Sequence, residues 1–174
     1  SLDHKRRERV ANRLVQEAAE RQVIIFTHDV YFVCLIMEEA GRVSVPCVTQ
    51  SLTRRPEGYG VADANLPFEG MGTKARVAAL RNAQQQITKL HKENNEPQHR
   101  KETIDAYRQL RIAWERAVEE VLFRGVVVRF RKGISTQLLA GVVVDDADYS
   151  AIETAMTKCS NCAHDQALLG GTAI

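Results

Sequence analysis

The chain has 174 residues, 44% of them hydrophobic and 26% charged, with a formal net charge of +2. These proportions let one domain, or one domain with an appendage, bury a real core, and they exclude wholesale disorder. The small net charge does not by itself point to nucleic acid. No apolar run reaches the roughly 18–20 residues of a membrane helix, and the polar start "SLDHKRRERV" lacks the apolar centre of a signal peptide, so a soluble, cytoplasmic protein is expected.

Asp3 opens a helical pattern. Val10, Leu14 and Ala18 recur at every fourth position with Ala11 and Val15 beside them, charged residues fill the other face, and the Asp3 carboxylate is placed to cap the free N–H groups. This helix is expected to end near Arg21. The run "QVIIF" that follows is short, continuous and rich in β-branched residues, which predicts a strand buried on both faces, as in a parallel sheet covered by helices. A second helix is expected from about Val30 to Ala40, stopping at Gly41. Val43, Val45 and Cys47 alternate with smaller or polar neighbours, and "PEGYG" is a turn signal, so a β-hairpin is predicted, with Pro46 at an edge or bulge.

Beyond "LPFEGMG" the pattern becomes helical. Val77, Leu80, Ile87 and Leu90 mark one helix from Lys74 to about Lys92. Ile104, Tyr107, Leu110, Trp114, Val118 and Val121 mark another from about Arg100 to Phe123. A polar turn at 94–97 joins them into an antiparallel hairpin, each narrow stripe facing one partner. The segment "VVVRF" reads equally as a strand or as continuing helix. Asp145 or Asp146 caps a further helix with Tyr149, Ile152 and Met156 on its apolar face, and the tail "ALLGGTAI" is expected to be loose. The expected division is residues 1–70 and residues 71–174.

Two short motifs stand one helix and one strand apart: Ser1-Leu2-Asp3 and Thr27-His28-Asp29. Together they resemble the end of an ABC-type ATPase domain, and more narrowly the bacterial ATPases related to chromosome-maintenance and DNA-repair proteins, some of them associated with phage defence. The segments "LRIAWERAVEEVL" and "KCSNCAHD" resemble the carboxyl end of such proteins. The resemblance implies an α/β fold: the C-terminal part of a P-loop, ABC-type nucleotide-binding domain (a parallel strand, helices and a β-hairpin) followed by a mostly helical hairpin region. It implies that Ser1, Leu2 and Asp3 form the D-loop at a dimer interface. It implies further that His28 is the switch histidine on the γ-phosphate of ATP, with Thr27 and Asp29 orienting it or capping the next helix. An imidazole at the carboxyl end of a buried parallel strand points into the crevice where open α/β sheets bind ligands, and its N–H can stabilise phosphate charge.

The chain departs from that family pattern in what it lacks. It has no G-x-x-x-x-G-K-[ST] loop and no Leu-Ser-Gly-Gly-type signature, and the acidic strand end expected before the D-loop would precede Ser1. The expectation is therefore a C-terminal part of an ATPase. ATP and Mg²⁺ belong to the full-length parent, hydrolysis occurs only there, and the isolated chain binds no cofactor. Its partners would be the missing N-terminal ATPase portion or a second ATPase subunit, with nucleic acid a further candidate and no membrane. Self-association, strand exchange or the helical hairpin is expected to cover the apolar edge of residues 22–26.

Other residues carry weaker signals. Cys34 and Cys47 read as buried thiols. Cys159, Cys162 and His164 offer three zinc ligands where a structural site wants four; His91 or His99 would have to supply the last, and packing of a helix end explains the motif more simply. Arg129-Phe130-Arg131 suits base stacking, and equally a strand with Phe130 buried. The competing functional reading is a non-catalytic helical interaction module that docks on a separate ATPase subunit or on nucleic acid.

Overall fold

A computed structural model describes residues 4–55 and 58–164 of the chain. It divides into two compact units. The first comprises residues 1–71 and 127–135, the second residues 72–126 and 136–174.

In the first unit, α1 (His4–Ala18) packs on α2 (Val30–Arg42). The apolar positions of α1 fall on one face, and Ala11 and Val15 are buried there. On α2 the buried residues are Phe32, Leu35, Ile36 and Ala40, the spacing of one helical face. These six side chains form the core, with Val10, Leu14, Ile25, Val45 and Phe130 packed against it. Burying Phe32, Leu35 and Ile36 contributes about 1.5–3 kcal/mol each before entropy is charged against it.

α2 runs past Gly41. Its end is made by Val43, whose N–H returns to Glu39 and Gly41, and by Ser44 in the left-handed region at φ 58°. Glycine is thus not what stops this helix; Val45 N–H bonding back to the Ala40 carbonyl closes the turn instead. β1 (Ser51–Arg55) and β2 (Gly58–Asp63) then pair antiparallel, Ser51 opposite Asp63 and Thr53 opposite Val61, with an irregularity between Thr53 and Arg55. Gly60, at φ 71°, takes a backbone conformation that side-chain-bearing residues rarely adopt. A 3₁₀ turn at Phe68–Gly70 packs on α2; a Cβ at Gly70 would stand 2.8 Å from Val30 Cγ1.

The α/β expectation is overturned. Among the described residues the fold is mostly helical and its sheet is this two-stranded antiparallel hairpin, not the parallel sheet of a P-loop domain. Residues 22–27 form no strand. The physical reason is that a strand exists only by exchanging its N–H and C=O groups with a neighbour. Among the described residues no backbone partner is recorded for 22–27. The predicted hairpin also begins later than its alternation suggests, because residues 45–50 carry no regular structure.

The second unit is helical. α3 (Thr73–Lys92) and α4 (Glu96–Ala117) are joined by three residues, with Asn94 at φ 53°, and pack on one another. Asn95 caps α4 by accepting from Gln98 N–H, and proline stands in its first turn, where a missing N–H costs nothing. α4 continues into a π-helical turn at Val118–Leu122. A second 3₁₀ turn spans Thr136–Gly141, and α5 (Asp146–His164) packs on α4, so α4 serves two neighbours where its narrow stripe suggests one. Asp145 is the side chain that caps α5, accepting from Asp148 N–H at 2.8 Å. The segment "VVVRF" is neither strand nor helix: Val126 and Val128 are buried within an irregular stretch.

Candidate functional site

The sequence places its principal site at Thr27–Asp29. Residues 22–26 approach it with alternating exposure. Val23 and Ile25 are half-buried, Ile25 against the α1–α2 core, whereas Ile24 is 69% and Phe26 90% exposed. Thr27 Oγ1 then accepts from Asp29 N–H at 3.0 Å. Asp29 is the N-cap of α2: its Oδ1 accepts from Phe32 N–H at 3.1 Å, and its Oδ2 pairs with Arg7 at 3.2 Å. The favourable anion position at the start of α2 is therefore filled by a carboxylate that Arg7 neutralises.

Both neighbours of His28 are thus engaged in making the turn. His28 itself is exposed, and no hydrogen-bond partner is recorded for its ring among the described residues. The ring stands at the end of an irregular segment rather than at the mouth of a rigid strand. It is open to solvent and able to donate to an incoming anion. Ser1, Leu2 and Asp3, the D-loop residues, lie outside the described residues, as does the capping expected of Asp3.

Among the cysteines, Cys47 is exposed, Cys34 half-buried and Cys159 buried. Cys34 is held by its Sγ donating to the Gly70 carbonyl at 3.8 Å, whereas Cys47 is not the buried thiol its apolar neighbours suggest. Cys159 is 1% exposed on α5, and burial pushes its thiol up, the charge of Cys162 adding to this while Arg111 and Lys158 oppose it. Among the described residues no three His, Cys, Asp or Glu side chains converge as a metal cluster. His164 ends α5, and its side chain is not among those described. Phe130 packs against the first unit's core while Arg131 forks onto both carboxylate oxygens of Glu38, Nε to Oε2 at 2.9 Å, so packing and an ion pair occupy these two members of the Arg-Phe-Arg triplet.

Sequence reasoning missed a polar lock in the second unit. Glu120, presented by the π-helical turn, accepts from Thr73 N–H at 2.6 Å and Thr73 Oγ1 at 2.5 Å, capping α3 from a distance of 47 residues. Arg116 bridges Glu119 at 3.2 Å and Glu120 at 2.7 Å. Arg76 is 4% exposed and donates to the Ile112 carbonyl at 2.7 Å. Burial pushes the Glu120 carboxyl up, but the Thr73 hydroxyl, the Thr73 amide and Arg116 together outweigh it and hold it below its ordinary value. No local signal marks this set, because Gly72 and Thr73 give only a weak helix start.

Comparison with known proteins returns no match: no family model, no curated protein and no solved structure is similar to the chain. No helix among the described residues is long and apolar enough to cross a membrane.

Proposed function

We propose that the chain supplies His28 as a γ-phosphate-contacting group, and Ser1–Asp3 as an interface loop, to an ATP–Mg²⁺ site whose phosphate-binding parts belong to an upstream portion of the same ATPase. The single observation that carries this reading is the Thr27–Asp29 turn. Its two outer residues are committed to backbone hydrogen bonds and an ion pair, and the imidazole between them is left open. An exposed imidazole presents an N–H donor and suits a phosphate oxygen. The motifs that resemble an ABC-type ATPase supply the identity of the anion. The reading does not ask this chain to be an α/β domain. It asks that His28 meet a nucleotide bound elsewhere, and Ile24 and Phe26 give the adjoining segment an apolar surface with which to associate, with a second copy or with an ATPase subunit.

A nucleotide titration tests it. The chain alone is expected to bind no Mg-ATP. The chain extended upstream of Ser1 in its own reading frame is expected to bind it, and His28→Ala to weaken that binding. Equal affinity with and without His28 contradicts the proposal.

A further inference from the structure

His91 lies in the last turn of α3 and His99 in the first turns of α4, on opposite sides of the three-residue connection, and their ring centroids are 5.2 Å apart with the planes tilted by 43°. The backbone at these positions is part of the turn. His91 O accepts from Asn94 N–H at 3.1 Å, Asn95 N–H reaches Leu90 O at 3.1 Å, and His99 N–H reaches Asn95 O at 2.9 Å. The closed turn thus sets the two histidine backbones on facing helix ends, within reach of one another. His91 is exposed and His99 half-buried, and no other partner for either ring is recorded among the described residues.

We infer that this pair is a two-histidine site for a divalent transition-metal ion such as Zn²⁺. Metal–imidazole bonds of about 2.0–2.1 Å meeting at a tetrahedral angle set two ring centroids about 5 Å apart. The rings already stand at about that separation, which is also that of an ordinary aromatic contact. Imidazole nitrogen is a preferred ligand of Zn²⁺, Cu²⁺ and Ni²⁺, and water completes the coordination. Nearby charge is mixed: Lys89 is paired with Glu93 at 3.8 Å and Glu96 stands in the first turn of α4, while Lys92 follows His91 and Arg100 and Lys101 follow His99, and these three cations oppose a metal ion, an effect that the two imidazoles must outweigh. The ion staples the ends of α3 and α4 across their turn. The inference is independent of the nucleotide reading and uses neither Cys159 nor Cys162.

The test is calorimetric titration of Zn²⁺ into the full chain, into His91→Ala and His99→Gln, and into a Cys159→Ser/Cys162→Ser background. The expected result is saturable 1:1 binding that each histidine substitution weakens at least about tenfold and that the cysteine substitutions leave unchanged. The expected companion is a rise in Tm with Zn²⁺ in the unsubstituted chain that both histidine variants lack while keeping its helical circular dichroism. No saturable binding, or binding that survives in both histidine variants, or binding lost with the cysteines, overturns the site.

Discussion

The first unit buries Ala11, Val15, Phe32, Leu35, Ile36, Ala40 and Val128, all apolar, whereas the second buries Arg76 and Glu119 beside Ile104, Ala113, Val126 and Cys159. The core of the first is non-directional packing of two helices, and its ion pairs, Arg7 on Asp29 and Arg131 on Glu38, stand outside that core. The second adds charged hydrogen bonds that fix where α3 begins relative to the end of α4: Thr73 on Glu120, Arg116 on both glutamates, Arg76 on the Ile112 carbonyl. The difference teaches what each can tolerate. An apolar core accepts reshaped side chains of equal volume. A charged set with Glu119 buried and Arg116 and Glu120 half-buried tolerates loss of a member less well, because the charges left behind stay partly desolvated.

The largest expected effect is in the first unit. Phe32→Ala should cost about 3–5 kcal/mol, the transfer term plus the cavity left between α1 and α2, and chemical denaturation should show that loss. In the second unit, Arg116→Ala removes the cation shared by Glu119 and Glu120 and should cost about 2–4 kcal/mol by the same measurement. A loss there below about 0.5 kcal/mol would make the charged set decorative and erase the contrast.

Glu120 sharpens it further through pH. Its folded carboxyl sits below its unperturbed value of 4.5, so the stabilisation is complete above that value and is lost as the pH falls through the depressed folded value. Thermal unfolding of Glu120→Gln should lack this acid-side component; an unchanged pH profile would contradict the account of the Thr73 contacts. The smallest effect is kinetic. Cys47 is exposed while Cys159 is buried with a raised thiol, so mass-spectrometric alkylation should label Cys47 first and Cys159 last.

The sequence made the helices legible because their apolar positions repeat every three or four residues. α3 stands where Val77–Leu90 place it; α4, expected from about Arg100 to Phe123, starts earlier at Glu96, taking Pro97 into its first turn, and ends at Ala117 before the π-helical turn; and of the two candidate caps for α5, Asp145 is the one that caps it. The strand expected at 22–26 is absent for a physical reason. A short continuous apolar run states that side chains prefer burial, but it carries no information about which backbone will pair with it. The end of α2 was misplaced by one turn element, since Ser44 adopts the left-handed conformation expected of Gly41. Of the candidate site, the cap that Asp29 places on α2 is among the expectations for Thr27 and Asp29, whereas the exposed turn is not, since His28 is expected at the end of a buried strand. The Glu120 lock was not, because it joins residues 47 apart through a π-helical turn that no periodicity announces. The contact between His91 and His99 is likewise not among the expectations, which name either one only as a fourth ligand for the cysteine motif.

The most direct measurement is the imidazole NMR signal of His28 in the upstream-extended protein, compared between Mg-ATPγS and Mg-ADP. The account predicts a shift of that signal with the triphosphate and not with the diphosphate, because the ring meets the terminal phosphate. A His28 resonance that stays at its free position when Mg-ATPγS is bound would contradict it.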